Sequence, residues 1–147
     1  MTIKETEEQL ISEFSMFEDP LEKDSYLIEL GKSLPLIHDE YKAETYLISG
    51  CQSRVWLHAE YHDGKIIFTA DSDALVPKGI ISILVRIFSG HSPDEILNAD
   101  MDFIDKIGLR EHLSPTRSNG LSHMIKQMKL YALAFQAREK LSSSGNQ

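Results

Sequence analysis

The chain carries one cysteine, Cys51, in the stretch Ser49-Gly50-Cys51-Gln52-Ser53-Arg54-Val55-Trp56. A lone thiol at a glycine-flanked junction between a loop and a strand can be reached by a partner, which a thiol in mid-helix cannot. The opposing reading is packing, since free cysteines are among the most buried residue types. Six histidines, at positions 38, 58, 62, 91, 112 and 123, are the other candidates for chemistry. His58, Glu60 and His62 share one face of a strand. At about 3.3 Å rise per residue the two histidines stand roughly 13 Å apart, too far to share one ion at metal–nitrogen distances of about 2 Å. The sequence has no Cys-x-x-Cys, no Gly-x-Gly-x-x-Gly and no Walker-type loop, so no cofactor or metal is expected. A Cys51–histidine hydrolase has no motif to support it.

Composition narrows the setting. A length of 147 residues fits one domain, and 41% apolar with 26% charged residues is ordinary for a globular protein. We expect a domain over residues 1–141 and a disordered tail over 142–147 (Ser-Ser-Ser-Gly-Asn-Gln). A formal charge of −8 disfavours nucleic acid, which calls for a basic patch. Lys126, Lys129, Arg138 and Lys140 lie towards a helix C-terminus, where cations suit the macrodipole. The charged start of the chain has no signal-peptide core behind it, and the most apolar run, 79–88, is too short for a bilayer and contains Arg86. A cytoplasmic setting without membrane insertion is expected, and one cysteine excludes an internal disulfide.

The elements that must position Cys51 follow in chain order. Thr6 and Gln9 resemble a capping box for a helix over residues 7–17. Asp19-Pro20 with Glu22 starts a second helix, which Gly31 can end in a left-handed cap before the break at Leu34-Pro35. Residues 38–45 form a loop or short turn. Segments 55–61 and 65–71 flank Asp63-Gly64, a strong hairpin signal. The turn pairs His62 with Lys65, Tyr61 with Ile66, Ala59 with Phe68 and Leu57 with Ala70, leaving Trp56 on the more polar face. There it is covered by a loop or helps form a partner-binding surface. A helix opening near Pro77 has Ile80, Ile81, Ile83, Leu84, Val85, Ile87 and Phe88 around most of its circumference, with a solvated stripe at Lys78, Ser82 and Arg86. Ser92-Pro93 with Glu95 caps a short helix, another ends at Gly108, and residues 112–120 read as a loop of turn residues before the last helix.

Gly50-Cys51-Gln52-Ser53-Arg54-Val55-Trp56 matches the Gly-Cys-Gln-Ser-x-Val-Trp signature of the SufE family of sulfur acceptors. In family order, Tyr26-Leu27-Ile28-Glu29-Leu30-Gly31 with Leu34-Pro35 resembles its second helix. Asp71-Ser72-Asp73-Ala74 with Lys78-Gly79 is similar to its segment after the hairpin. His112-Leu113-Ser114-Pro115-Thr116-Arg117-Ser118-Asn119-Gly120-Leu121 resembles its loop before the last helix. The resemblance implies an α+β fold like the IscU-type iron–sulfur scaffold proteins, a small antiparallel sheet with helices mainly on one face. It implies that Cys51 accepts sulfane sulfur as a persulfide from a pyridoxal-phosphate cysteine desulfurase (SufS-like) and relays it to an iron–sulfur assembly scaffold (SufBCD-like). It also implies that the protein activates that desulfurase. The hard chemistry then sits on the partner. Arg117, matching the family's arginine, stabilises a developing thiolate or forms a structural ion pair. Gln52 and Ser53 shape the loop beside Gly50, and Asp71 and Asp73 either cap the following helix or face the desulfurase. A binding module with an inert Cys51 and a stand-alone thiol enzyme are the alternatives.

Overall fold

Asp63 (φ 51°) and Gly64 (φ 80°) both take the left-handed backbone, as a two-residue turn matched to strand twist requires. They join β1 (Val55–His62) to β2 (Lys65–Ser72) in the expected register. The computed structural model describes residues 1–109 and 113–145; His112 therefore lies outside the described residues. Around this antiparallel pair stand α1 (Ile3–Phe14), α2 (Pro20–Gly31), α3 (Leu75–Phe88), α4 (Pro93–Asn98), α5 (Phe103–Lys106) and α6 (Pro115–Gly145). The expected α+β architecture is the one observed.

Val55, Leu57, Ile66, Phe68 and Ala70 form the fully buried face of the hairpin, and β2 packs on α3. Ile80, Ile81, Ile83, Leu84, Ile87 and Phe88 of α3 are at most 1% exposed. At about 1.5–3 kcal/mol per large apolar side chain, that one helix contributes on the order of 10 kcal/mol before the entropy of ordering is subtracted. The opposite face of the hairpin carries the short 3₁₀ turns Asp39–Tyr41 and Glu44–Tyr46, whose Tyr41 ring stacks on His58 at 3.6 Å.

Several local expectations shift. Helix α1 starts a turn earlier than its Thr6-Gln9 pattern suggests, because Thr2 and Glu5 form the reciprocal capping box. Thr6 is buried and its hydroxyl donates to the Thr2 carbonyl. Phe17 lies beyond the helix and packs on Tyr26. Gly31 is not a left-handed cap; it is the last residue of α2, against Lys78 and Gly79. The stripe on α3 is a row of ties rather than a solvated side. Lys78 reaches Asp71 at 3.3 Å, Ser82 donates to the Leu30 carbonyl at 2.8 Å, and Arg86 forks onto Glu13 at 3.1 and 2.6 Å. Two-point guanidinium–carboxylate pairing of this kind is the stronger class of ion pair. Residues 115–120 are not loop but the opening of α6, capped by Ser114, whose Oγ accepts from the Arg117 N–H at 3.3 Å. The Ser-Pro start seen at Ser92-Pro93 recurs at Ser114-Pro115, and the turn-prone Ser118, Asn119 and Gly120 hide it. At its far end α6 continues through Gly145.

Helices α2 and α3 meet backbone to backbone. A Cβ on Gly79 would run into the Leu27 carbonyl, and one on Gly31 would lie 3.1 Å from the Gly79 nitrogen. Helix propensity alone makes Gly79→Ala stabilising by about 1 kcal/mol, whereas overpacking a contact between main chains costs about 1–3 kcal/mol or more. We expect Gly79→Ala to lower the urea midpoint at unchanged m-value; a raised midpoint would contradict the packing described.

Candidate functional site

The Cys51 loop is a short span held at both ends. On its entering side the Ile48 N–H donates to the Val55 carbonyl at 2.8 Å, and Leu47 bridges to Trp56. On its leaving side both backbone groups of Arg54 are pinned. Its N–H donates to Asp73 Oδ1 at 3.1 Å, while its carbonyl accepts from Ser72 Oγ at 2.8 Å and from the Asp73 N–H at 3.2 Å. Asp73 is thus an anchor for the loop's base. It does not cap α3, whose N-cap is Ala74 without a side-chain bond.

Asp71 does not cap α3 either. It is 7% exposed and binds Lys42 at 2.8 Å and Lys78 at 3.3 Å, tying the hairpin's end to the 3₁₀ segment and to α3. Burial pushes its carboxyl up, but hydrogen bonds from Lys42, the Ser72 N–H and Lys78 outweigh it and hold the group below the usual carboxylate range.

Between these anchors Gly50 takes φ 88°, a conformation side-chain-bearing residues rarely adopt. The turn brings Cys51 against α6, where its half-buried Sγ donates to the Gly120 carbonyl at 3.7 Å. The sulfur borders a cavity of about 110 Å³ with an apolar floor of Val55, Pro77, Ile80 and Met124. Gln52, Ser53, Thr116 and Arg117 supply its polar side. That is room on the order of three waters at about 30 Å³ each.

Burial pushes the Cys51 thiol above its ordinary value, and a bond donated by S–H favours the neutral form further. The resting sulfur is therefore a covered, protonated thiol. Thiolate is the reactive form, so the site must open or bring charge to the sulfur before it attacks anything.

The structure brings Cys51, Gln52, Ser53 and Arg117 to one cavity. Trp56 is half-buried on the other face of the hairpin and does not line the cavity. Reading the sequence as a loop up to Gly120 missed the α6 contribution: Thr116, Gly120 and Met124, with His123 against Gly50. The spacing 116, 117, 120, 123, 124 is one helical face, visible only once Ser114-Pro115 is taken as a helix start. Among the described residues no three His, Cys, Asp or Glu side chains are placed to hold a metal ion, and no helix is long and apolar enough to cross a membrane.

The SufE family model, an Fe-S metabolism associated domain, matches residues 8–132. The chain belongs to the SufE family. An uncharacterized SufE-like protein of Rhizobium meliloti is 39% identical over 127 residues, 83% of this chain and 91% of that protein. One from Synechocystis is 34% identical over 128 residues, 87% of this chain and 80% of the relative. A SufE-like protein 1 of Arabidopsis thaliana, named chloroplastic/mitochondrial, is 34% identical over 140 residues, covering 94% of this chain and 38% of the plant protein. A solution structure of a hypothetical protein from Thermus thermophilus shares the fold at TM-score 0.73 and 21% identity, over 88% of this chain and 94% of that one. The fold is thus common to both, and the family ties the chain to iron–sulfur metabolism.

The covered thiol gives a pH test with a definite sign. A group whose folded value is raised contributes stability to the closed loop below its unfolded value, and that contribution is lost as pH rises through the folded one. Thiolate absorbance of the native SufE-family chain should rise at higher pH than in the same chain unfolded in guanidinium chloride. A native midpoint below the unfolded one would contradict a covered, unassisted thiol.

Proposed function

We propose that this SufE-family protein accepts sulfur from, and activates, a pyridoxal-phosphate cysteine desulfurase of the SufS or Csd type. The observation that carries this reading is the Cys51 site itself: a lone thiol on an anchored loop, covered by α6 and beside a cavity with space for one more sulfur atom. The Cys51 thiolate attacks the terminal sulfur of the desulfurase's cysteine persulfide. A new S–S bond forms on Cys51, the donor's S–S bond breaks, and the donor cysteine leaves as thiolate. The proton that Cys51 gives up on ionising balances the charge on that leaving group. Cys51-S-SH then carries the sulfur to an iron–sulfur scaffold such as a SufBCD-like complex.

Shelter suits a persulfide carrier. Covering the sulfur limits its loss to solvent thiols and its oxidation, and a single cysteine leaves no second thiol in the chain to capture the sulfur as an internal disulfide. A reducing compartment, the cytoplasm in this reading, keeps that thiol free. Arg117, on the polar side of the cavity, is the residue that would hold the thiolate as it forms.

Mixing the protein with a cysteine desulfurase and cysteine should add one sulfur to Cys51, seen by intact and peptide mass spectrometry, with no adduct on Cys51→Ser. Arg117→Ala should slow the loading by about ten-fold, the scale of losing one charge-assisted contact. Absence of the adduct, with Cys51→Ser stimulating the desulfurase as well as wild type, would leave a binding module with an inert thiol. Turnover of a small substrate without any partner would instead point to a stand-alone thiol enzyme.

A further inference from the structure

The residue that closes the Cys51 loop comes from outside the signature. A Cβ built on Gly50 would clash with the imidazole of His123, 2.6 Å from Cε1 and nearer still to two other ring atoms. The ring therefore lies flat against the loop backbone at the position before the cysteine. His123 is three residues beyond Gly120, whose carbonyl accepts the thiol, so both contacts sit one turn apart on one face of α6. At Gly120 the helix offers a recess: even a Cβ there would stand 3.6 Å from Sγ, ordinary contact distance. At His123 it offers a ridge. The loop rests its sulfur in the first and its backbone under the second.

We infer that His123 is a positioning residue, a movable wall that sets how often the Cys51 sulfur leaves its recess. The geometry gives it this part for two reasons. Gly50 directly precedes Cys51 and its backbone lies against the ring, so a loop movement that carries Sγ away from α6 displaces atoms on which the ring bears. The imidazole is itself solvent-exposed, so it can rotate aside without uncovering core. The wall and the loop's anchors act on different atoms. Asp73 and Ser72 hold Arg54 at the base, whereas His123 bears on the tip. Leu121, Met124 and Ile125 on the same helix are buried, so removing the ring leaves the seat of α6 intact.

The inference deepens the sulfur-carrier reading by naming what controls exposure of the carrier sulfur, and its first test does not depend on that reading. In the free protein, alkylation of Cys51 by iodoacetamide measures how often the loop opens. His123→Ala should be alkylated about five-fold faster or more, the effect of losing a contact of roughly 1 kcal/mol. The melting temperature and amide exchange in β1 and β2 should stay at wild-type values. His123→Phe, which restores a flat ring of similar reach, should return the rate towards wild type. Alkylation of His123→Ala at the wild-type rate would overturn the inference. So would an acceleration that comes with a general loss of exchange protection.

A second arm loads the persulfide with a desulfurase and cysteine. Dithiothreitol then reduces the Cys51 S–S bond, releasing the outer sulfur as hydrogen sulfide while it closes to its cyclic disulfide. Sulfide should leave His123→Ala faster than wild type, and equal rates would count against the wall. Failure of the wild type to load at all would contradict the carrier reading alone, and the alkylation rates would still decide the part played by His123.

Discussion

Position 50 holds a side chain only under strain. Its φ of 88° is one that side-chain-bearing residues rarely adopt, a Cβ there would press on the His123 ring, and glycine lets the loop turn back onto α6. From this turn follow the contact of Sγ with the Gly120 carbonyl, the covering of the sulfur and the cavity beneath it. A Cβ at position 50 would cost the steric strain of the left-handed backbone, on the order of 1 kcal/mol. To that it would add displacement of the ring. Either would tilt a loop whose closure rests on a few weak contacts, because a thiol–carbonyl bond at 3.7 Å contributes little alone.

The scaffold around the loop is held by far more buried contact than the loop. The hairpin is fixed by its turn and by a fully buried face, and α3 is the helix on which β2 rests. Around α3, Lys78, Ser82 and Arg86 tie it to the hairpin's end, to α2 and to α1. Where Asp71 meets two lysines, attraction has overcome the cost of burying the carboxylate. Cys51 shows the opposite balance: burial raises its thiol, and no charge among the described residues offsets it. One site holds its charge and gains rigidity, and the other withholds charge and stays unreactive until it opens. Stable anchors and a weakly held tip are what an exposable sulfur needs, since the moving part must come from the low-stability end of the structure.

Much of this was legible in the residues. Asp63-Gly64 fixed the hairpin and its register because turn chemistry and period-two patterning agree. Asp19-Pro20 and Ser92-Pro93 marked helix starts through local capping, and the apolar circumference of α3 announced its burial. Other features depend on distant contacts. Gly31 and Gly79 look like ordinary helix glycines until α2 and α3 are brought together. The α3 stripe looks solvated until Glu13, Leu30 and Asp71 arrive beside it. The run from Ser114 to Gly120 looks like a loop because its composition suits turns, although Ser114 caps a helix. That misreading separated Arg117, Gly120 and His123, which in the fold share one helical face. The cysteine was visible from sequence; its cover was not.

The central claim is that Cys51 rests covered and unreactive and is uncovered by a sulfur-donating partner. The most direct measurement is the rate at which iodoacetamide alkylates Cys51 in the wild-type protein, alone and with a saturating cysteine desulfurase whose own active-site cysteine has been replaced. A covered thiol should react at least ten-fold more slowly than a free thiol of ordinary acidity, and the desulfurase should raise the rate. A thiol that already reacts at the free rate, or one that the desulfurase leaves unchanged, would contradict it.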